Sequence, residues 1–60
     1  MNKHALMEEA IGYRGLANKY VHEAKNSNDV KEVQQLLTLS NHYMELYLLR
    51  KLEANAKLFS

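Results

Sequence analysis

One polar break, Asn26-Ser27-Asn28-Asp29, separates two long stretches of helical apolar periodicity, and no proline interrupts either of them. Proline removes a backbone donor and clashes with the preceding turn, so its absence permits long helices. With only two glycines in the chain, an all-β fold built on many tight turns is disfavoured. Within the break, asparagine suits the left-handed position that closes a helix. Asp29 followed by Glu32 has the spacing of a capping box, with Asp in the Ser/Thr position. The chain therefore reads as a single domain over residues 1–60, with a helix at about 3–25, a turn at 26–29 and a helix at about 30–58. A turn this short forces the helices antiparallel. The expected fold class is all-α, an antiparallel two-helix hairpin.

The first helix carries Leu6, Ala10, Tyr13, Ala17, Tyr20 and Ala24 at alternating steps of four and three, which keeps them on one face. Ala10, Ala17 and Ala24 let a neighbouring backbone come close, and the large residues fill the space between. The second helix is apolar over more than one arc. One stripe, Leu36, Leu39, Tyr43 and Leu46, is expected to seal the hairpin core against the first helix. Facing residues then sum to about 55, which sets Ala10 by Leu46, Tyr13 by Tyr43, Ala17 by Leu39 and Tyr20 by Leu36. A second stripe, Val30, Val33, Leu37, Met44, Tyr47 and Leu48, is interrupted by Ser40. Of these, Val33, Leu37, Met44, Tyr47 and Leu48, with Leu52 beyond them, are expected to form an intermolecular interface. Towards the end the apolar side drifts through Ala56 to Phe59. Together the stripes exceed the apolar arc of an ordinary surface helix, which argues for packing on more than one side.

Size points the same way. A chain of 60 residues buries a small share of its surface and is marginal alone. Disulfides, a metal or oligomerisation are the usual remedies, and there is no cysteine. Self-association into a four-helix bundle, as a homodimer, is the expected answer. Composition is 47% hydrophobic with a net charge of +1, which argues against disorder and against a dedicated nucleic-acid or membrane-surface binder.

Candidate chemistry is sparse. His42 and Glu45 stand three apart and His4 and Glu8 four apart, but carboxylate-bridged bundle sites need Glu-x-x-His with further glutamates on facing helices. No metal or cofactor is expected, and the three histidines, His22 included, read as surface residues. Ser27, Ser40 and Ser60 lack an adjacent base, and two helices form no evident cleft, so no enzyme activity is expected. The basic residues Lys3, Arg14, Lys19, Lys25, Lys31, Arg50, Lys51 and Lys57 are scattered and balanced by seven acids. Gly12 and Gly15 mark either a loosened, exposed stretch of helix or a flat patch for a partner's backbone. Glu8 and Glu9 fall where a signal peptide needs an apolar run, and Leu46 to Leu49 is too short to span a bilayer. A cytoplasmic location is expected.

In outline the chain resembles the small helical-hairpin aspartyl-phosphate phosphatases of sporulating bacteria, whose second helix carries Ser-Gln-Glu-Leu-Asp. In the corresponding stretch, Leu39-Ser40-Asn41-His42-Tyr43-Met44, the serine is kept but Met44 stands in place of the aspartate. The resemblance implies topology and carries no activity across. The plan is also similar to plasmid-copy-control RNA-binding hairpins that dimerise into four-helix bundles, by architecture alone. The function expected is that of a small interaction or regulatory protein, partnered by itself or by another protein. The alternatives are a dimeric nucleic-acid-binding regulator and a hairpin that folds only on a foreign protein.

Overall fold

The computed structural model describes residues 3–59, and side chains over residues 3–56; Phe59, where the apolar drift ends, and the Lys57 and Ser60 side chains lie outside the latter. Helix α1 spans Lys3–Lys25 and helix α2 spans Val30–Phe59, packed as a hairpin. The turn is held by backbone and side-chain capping. Asp29 is the N-cap of α2: its Oδ1 accepts from the Lys31 N–H at 3.0 Å, and its carbonyl accepts from Val33 N–H at 2.9 Å. The Asp29 N–H donates to Ser27 Oγ at 3.2 Å, so Ser27 fills the role that the capping-box spacing assigned to Glu32. Helix α1 closes by a tightened turn, with Asn26 N–H donating to the Glu23 carbonyl and Ser27 N–H to the Ala24 carbonyl, each at 3.2 Å. No described residue has a positive φ, so the left-handed asparagine expected here is absent: the i→i−3 bonds already engage these carbonyls.

The hairpin is a rod of 47 × 13 × 13 Å with a radius of gyration of 13.9 Å. A globular domain of this length has a radius near 10 Å, so this shape leaves an unusually large share of the chain at the surface.

Apart from Leu6, the buried residues of its seam are small. On α1, Leu6, Ala10, Ala17 and Ala24 are buried, with Tyr13 and Tyr20 half-buried between them. On α2 the seam steps through Val33, Leu36, Ser40, Tyr43, Tyr47, Arg50 and Ala54, alternating three and four residues. Ser40 and Ala54 are its buried members, and the other five are half-buried. This corrects the expected hairpin core: Leu39 is 41% exposed, and Ser40 at 4% takes its place. One residue is about 100° of rotation, so choosing Ser40 over Leu39 turns the whole helix. The reason lies opposite. Ala17 is fully buried and brings the α1 backbone so close that only a small side chain fits, and Ser40 Oγ donates to the Ala17 carbonyl at 2.9 Å. The rotation leaves Tyr43 level with both tyrosines of α1. Its ring centroid is 6.1 Å from Tyr13 and 5.8 Å from Tyr20, with the planes inclined at 24° and 13°.

Two outcomes follow for stability, both read from thermal unfolding by circular dichroism at fixed protein concentration. Ser40→Ala loses one hydrogen bond but orphans nothing, because the helix ladder already engages the Ala17 carbonyl, and is expected to cost about 1 kcal/mol. Ser40→Leu forces bulk into the close approach and is expected to cost about 1–3 kcal/mol. A leucine variant more stable than the alanine variant would put Ser40 outside the seam. Gly12 and Gly15 are exposed, and a Cβ on either meets nothing within 4 Å. Gly12→Ala and Gly15→Ala are each expected to stabilise the chain by about 1 kcal/mol, and a lowered midpoint would show that the glycine itself is needed.

Candidate interaction surface

The seam uses one arc of each helix, and the remainder forms two broad faces. Because the helices run in opposite directions, side chains rotated the same way from each seam arrive on the same side of the layer. Two sets of contacts fix which residues share a face.

On the first face, Glu9 Oε1 accepts from Tyr13 Oη at 3.0 Å and from Arg50 Nε at 2.9 Å. Arg50 Nη1 reaches Glu53 Oε1 at 2.7 Å, so one guanidinium ties both helices together near the open end of the hairpin. Arg50 lowers the Glu9 carboxyl from its ordinary pKa by hydrogen bonding, and the Tyr13 hydroxyl adds to the effect. The same bond raises Tyr13, whose proton the carboxylate holds, and Arg50 is raised by its bond to Glu9. The stacked Tyr13, Tyr43 and Tyr20 continue this face, with the His42 ring edge-on to Tyr43 at 5.5 Å. Half-buried Leu16 and Leu46 and exposed Leu39 flank it by helical position.

On the second face, Arg14 and Lys51 both stand over the Tyr47 ring, at 5.9 and 5.7 Å from its centroid. Around them runs a row of exposed aliphatic side chains: Ile11 at 64%, Val30 at 71%, Leu37 at 42%, Leu48 at 50% and Leu52 at 64%. Half-buried Met7, Val21, Val33 and Met44 line its inner edge. Of the residues expected to form the outward interface, Leu37, Leu48 and Leu52 are exposed in this row. Val33 and Met44 are half-buried at its margin, and Tyr47 sits at the seam beneath its two cations. Ile11 was missed, and Val30, the first residue of the second stripe, was not counted in the interface. Ile11 stands four residues after Met7, a spacing that marks a second apolar edge on α1.

Little else on the surface is arranged for chemistry. His4 Nε2 and Glu8 Oε1 pair at 2.9 Å on an exposed flank, and His22 is exposed in the last turn of α1. Among the described residues no three His, Cys, Asp or Glu side chains converge on one point. An open groove along α2, lined by Lys31, Gln34, Gln35, Thr38 and Leu39, contains no nucleophile beside a base. Ser27 is an acceptor in the turn, and Ser40 is sealed in the seam. No described helix is long and apolar enough to cross a membrane. Comparison of the chain with protein-family models, with curated proteins and with solved structures finds no match in any of the three.

The Glu9 bonds make stability depend on pH with a definite sign. A carboxyl whose folded pKa is lowered stabilises the fold above the ordinary carboxylate range, and that contribution is lost as pH falls through the folded value. Glu9→Gln is therefore expected to be less stable than wild type at neutral pH, with the gap closing on acidification. Urea midpoints across the acid range check this, and a gap that stayed constant would remove Glu9 as the titrating group.

Proposed function

We propose that this chain is a small non-enzymatic protein–protein interaction or regulatory protein that acts through self-association, two hairpins packing apolar faces into a four-helix bundle. The carrying observation is the row Ile11, Val30, Leu37, Leu48 and Leu52, exposed together on one face of a two-helix rod. Single exposed apolar residues are ordinary, but several on one face mark an interface. A helical layer buries its apolar face against another layer, and helix on helix is the arrangement that needs no further element. Burying this row also adds to the large apolar area on which a 60-residue fold depends, which a seam whose buried residues, apart from Leu6, are alanine and serine supplies only in part.

Docking of a foreign helix onto the same row is the alternative. Nucleic-acid binding accounts for less: Arg14 and Lys51 stand among exposed aliphatic side chains, which a phosphate backbone would leave in water.

Light scattering after size exclusion, with circular dichroism across a concentration series, tests the reading. The expected result is a highly helical species of at least twice the 7.0 kDa chain mass. Leu37→Glu should return it to the chain mass. A helical wild-type monomer at every concentration would refute self-association, and a weakly helical monomer would favour folding on a foreign partner.

A further inference from the structure

We propose that two copies meet by opposite faces, the cationic face of one hairpin seated on the acidic, tyrosine-bearing face of the next. This rests on the self-association reading and specifies its geometry. By helical position, the face anchored by Arg14 and Lys51 over Tyr47 also carries Lys3 and Lys25 and includes no acid. The face anchored by the Glu9–Arg50–Glu53 bridge carries, in addition, Glu23 and Glu32. Arg50 answers Glu9 and Glu53 within the chain, whereas no ion pair of Glu23 or Glu32 is found among the described residues. Lys19 stands over the Tyr20 ring, 5.9 Å from its centroid, and so joins Arg50 among the acids Glu9, Glu23, Glu32 and Glu53, which still outnumber the cations on that face. Glu8, Glu45 and Lys31 lie on the backs of the helices, and Asp29 caps the turn.

Each face is also apolar, with Ile11, Leu37 and Leu48 on the cationic side and Leu16, Leu39 and Leu46 on the acidic side. A twofold pairing of cationic faces sets Arg14, near the middle of its face, and the lysines against like charge while removing them from water. A twofold pairing of acidic faces does the same to Glu23 and Glu32. Like charges brought together at an interface oppose association, and opposite charges favour it. The charges also match along the rod. Lys3 and Lys51 stand near the open end, as Glu9 and Glu53 do, and Lys25 stands near the turn, as Glu23 and Glu32 do. Stacking opposite faces therefore satisfies apolar burial and charge together. Such a contact is heterologous, so it leaves one face free at each end and continues unless a ring closes.

Two exposed positions separate this from a twofold dimer. Leu48→Glu disables the cationic face, and Leu39→Lys disables the acidic face. Both side chains are at least 41% exposed, so the hairpin should keep its helicity, and circular dichroism checks that it does. The expected results are a wild-type mass that rises with concentration beyond twice 7.0 kDa, and each variant alone at 7.0 kDa. An equimolar mixture of the variants should give a 1:1 pair at twice 7.0 kDa that grows no further and weakens in 0.5 M sodium chloride. A wild-type dimer that only one variant abolishes would overturn opposite-face contact while leaving self-association standing. Two monomeric variants that stay monomeric when mixed would overturn it too. A wild type that is monomeric throughout would remove self-association itself, and this geometry with it.

Discussion

The close approach of α1 and α2 through Ala10, Ala17, Ala24, Ser40 and Ala54 governs everything else in the molecule. Small side chains at a seam bring two backbones together, but they carry little apolar area. The bulk that would fill a core in a thicker bundle is displaced sideways. Tyr13, Tyr20 and Tyr43 lean to one flank, and Met44, Leu48 and Leu52 to the other. The hairpin thus becomes a thin layer with two chemically distinct faces. Ser40 makes the approach specific as well as close, because its hydroxyl bonds the opposite backbone and leaves no buried side-chain polar atom unpaired among the described residues.

Each flank is braced across the helices in its own way. One uses charge-assisted hydrogen bonds, with Arg50 on α2 holding Glu9 on α1 and Glu53 one turn further along its own helix. The other uses the Tyr47 ring, approached by Arg14 from the opposite helix and by Lys51 from its own. Both braces are partly open to water, so each contributes modestly to stability. Their larger consequence is placement. Arg50 neutralises acids on the first flank, while Arg14 and Lys51 bring positive charge to the second, where no acid answers them. A chain with a net charge of only +1 acquires an acidic side and a basic side.

The hairpin itself was legible from sequence, and the reasons are local. No proline interrupts the helices, one polar tetrapeptide separates them, and Asp29 is a strong N-cap beside a serine that supports it. The burial of Leu6, Ala10, Ala17 and Ala24 follows from their heptad-like spacing, because α1 has only one such face. The rotation of α2 was not legible. Apolar residues cover two arcs of that helix, and a rule that sends the largest ones inward favours Leu39 over Ser40. The choice is made by the partner helix. Opposite Ala17 the fitting residue is small, and a buried serine then needs the carbonyl that Ala17 supplies. Arg50 was missed at the seam for a similar reason. A charged residue at a core position reads as an error until its two carboxylates are placed beside it.

That same rotation decides what the surface can do. Had Leu39 faced α1, α2 would have turned by about 100°, carrying Leu48 towards the back of the layer and Arg50 away from Glu9. The row from Val30 to Leu52 would then not share a side with Ile11, and no single side would be both apolar and free of acid. Two-layer packing buries one face of each layer and leaves the other wet, so a layer apolar on both faces is a poor end state for an isolated chain. It is a natural repeating unit when the faces carry opposite charge, because each copy then offers the next both an apolar surface and counter-charges. The serine at the centre of the seam thereby links the packing within one hairpin to the residues that its two faces carry.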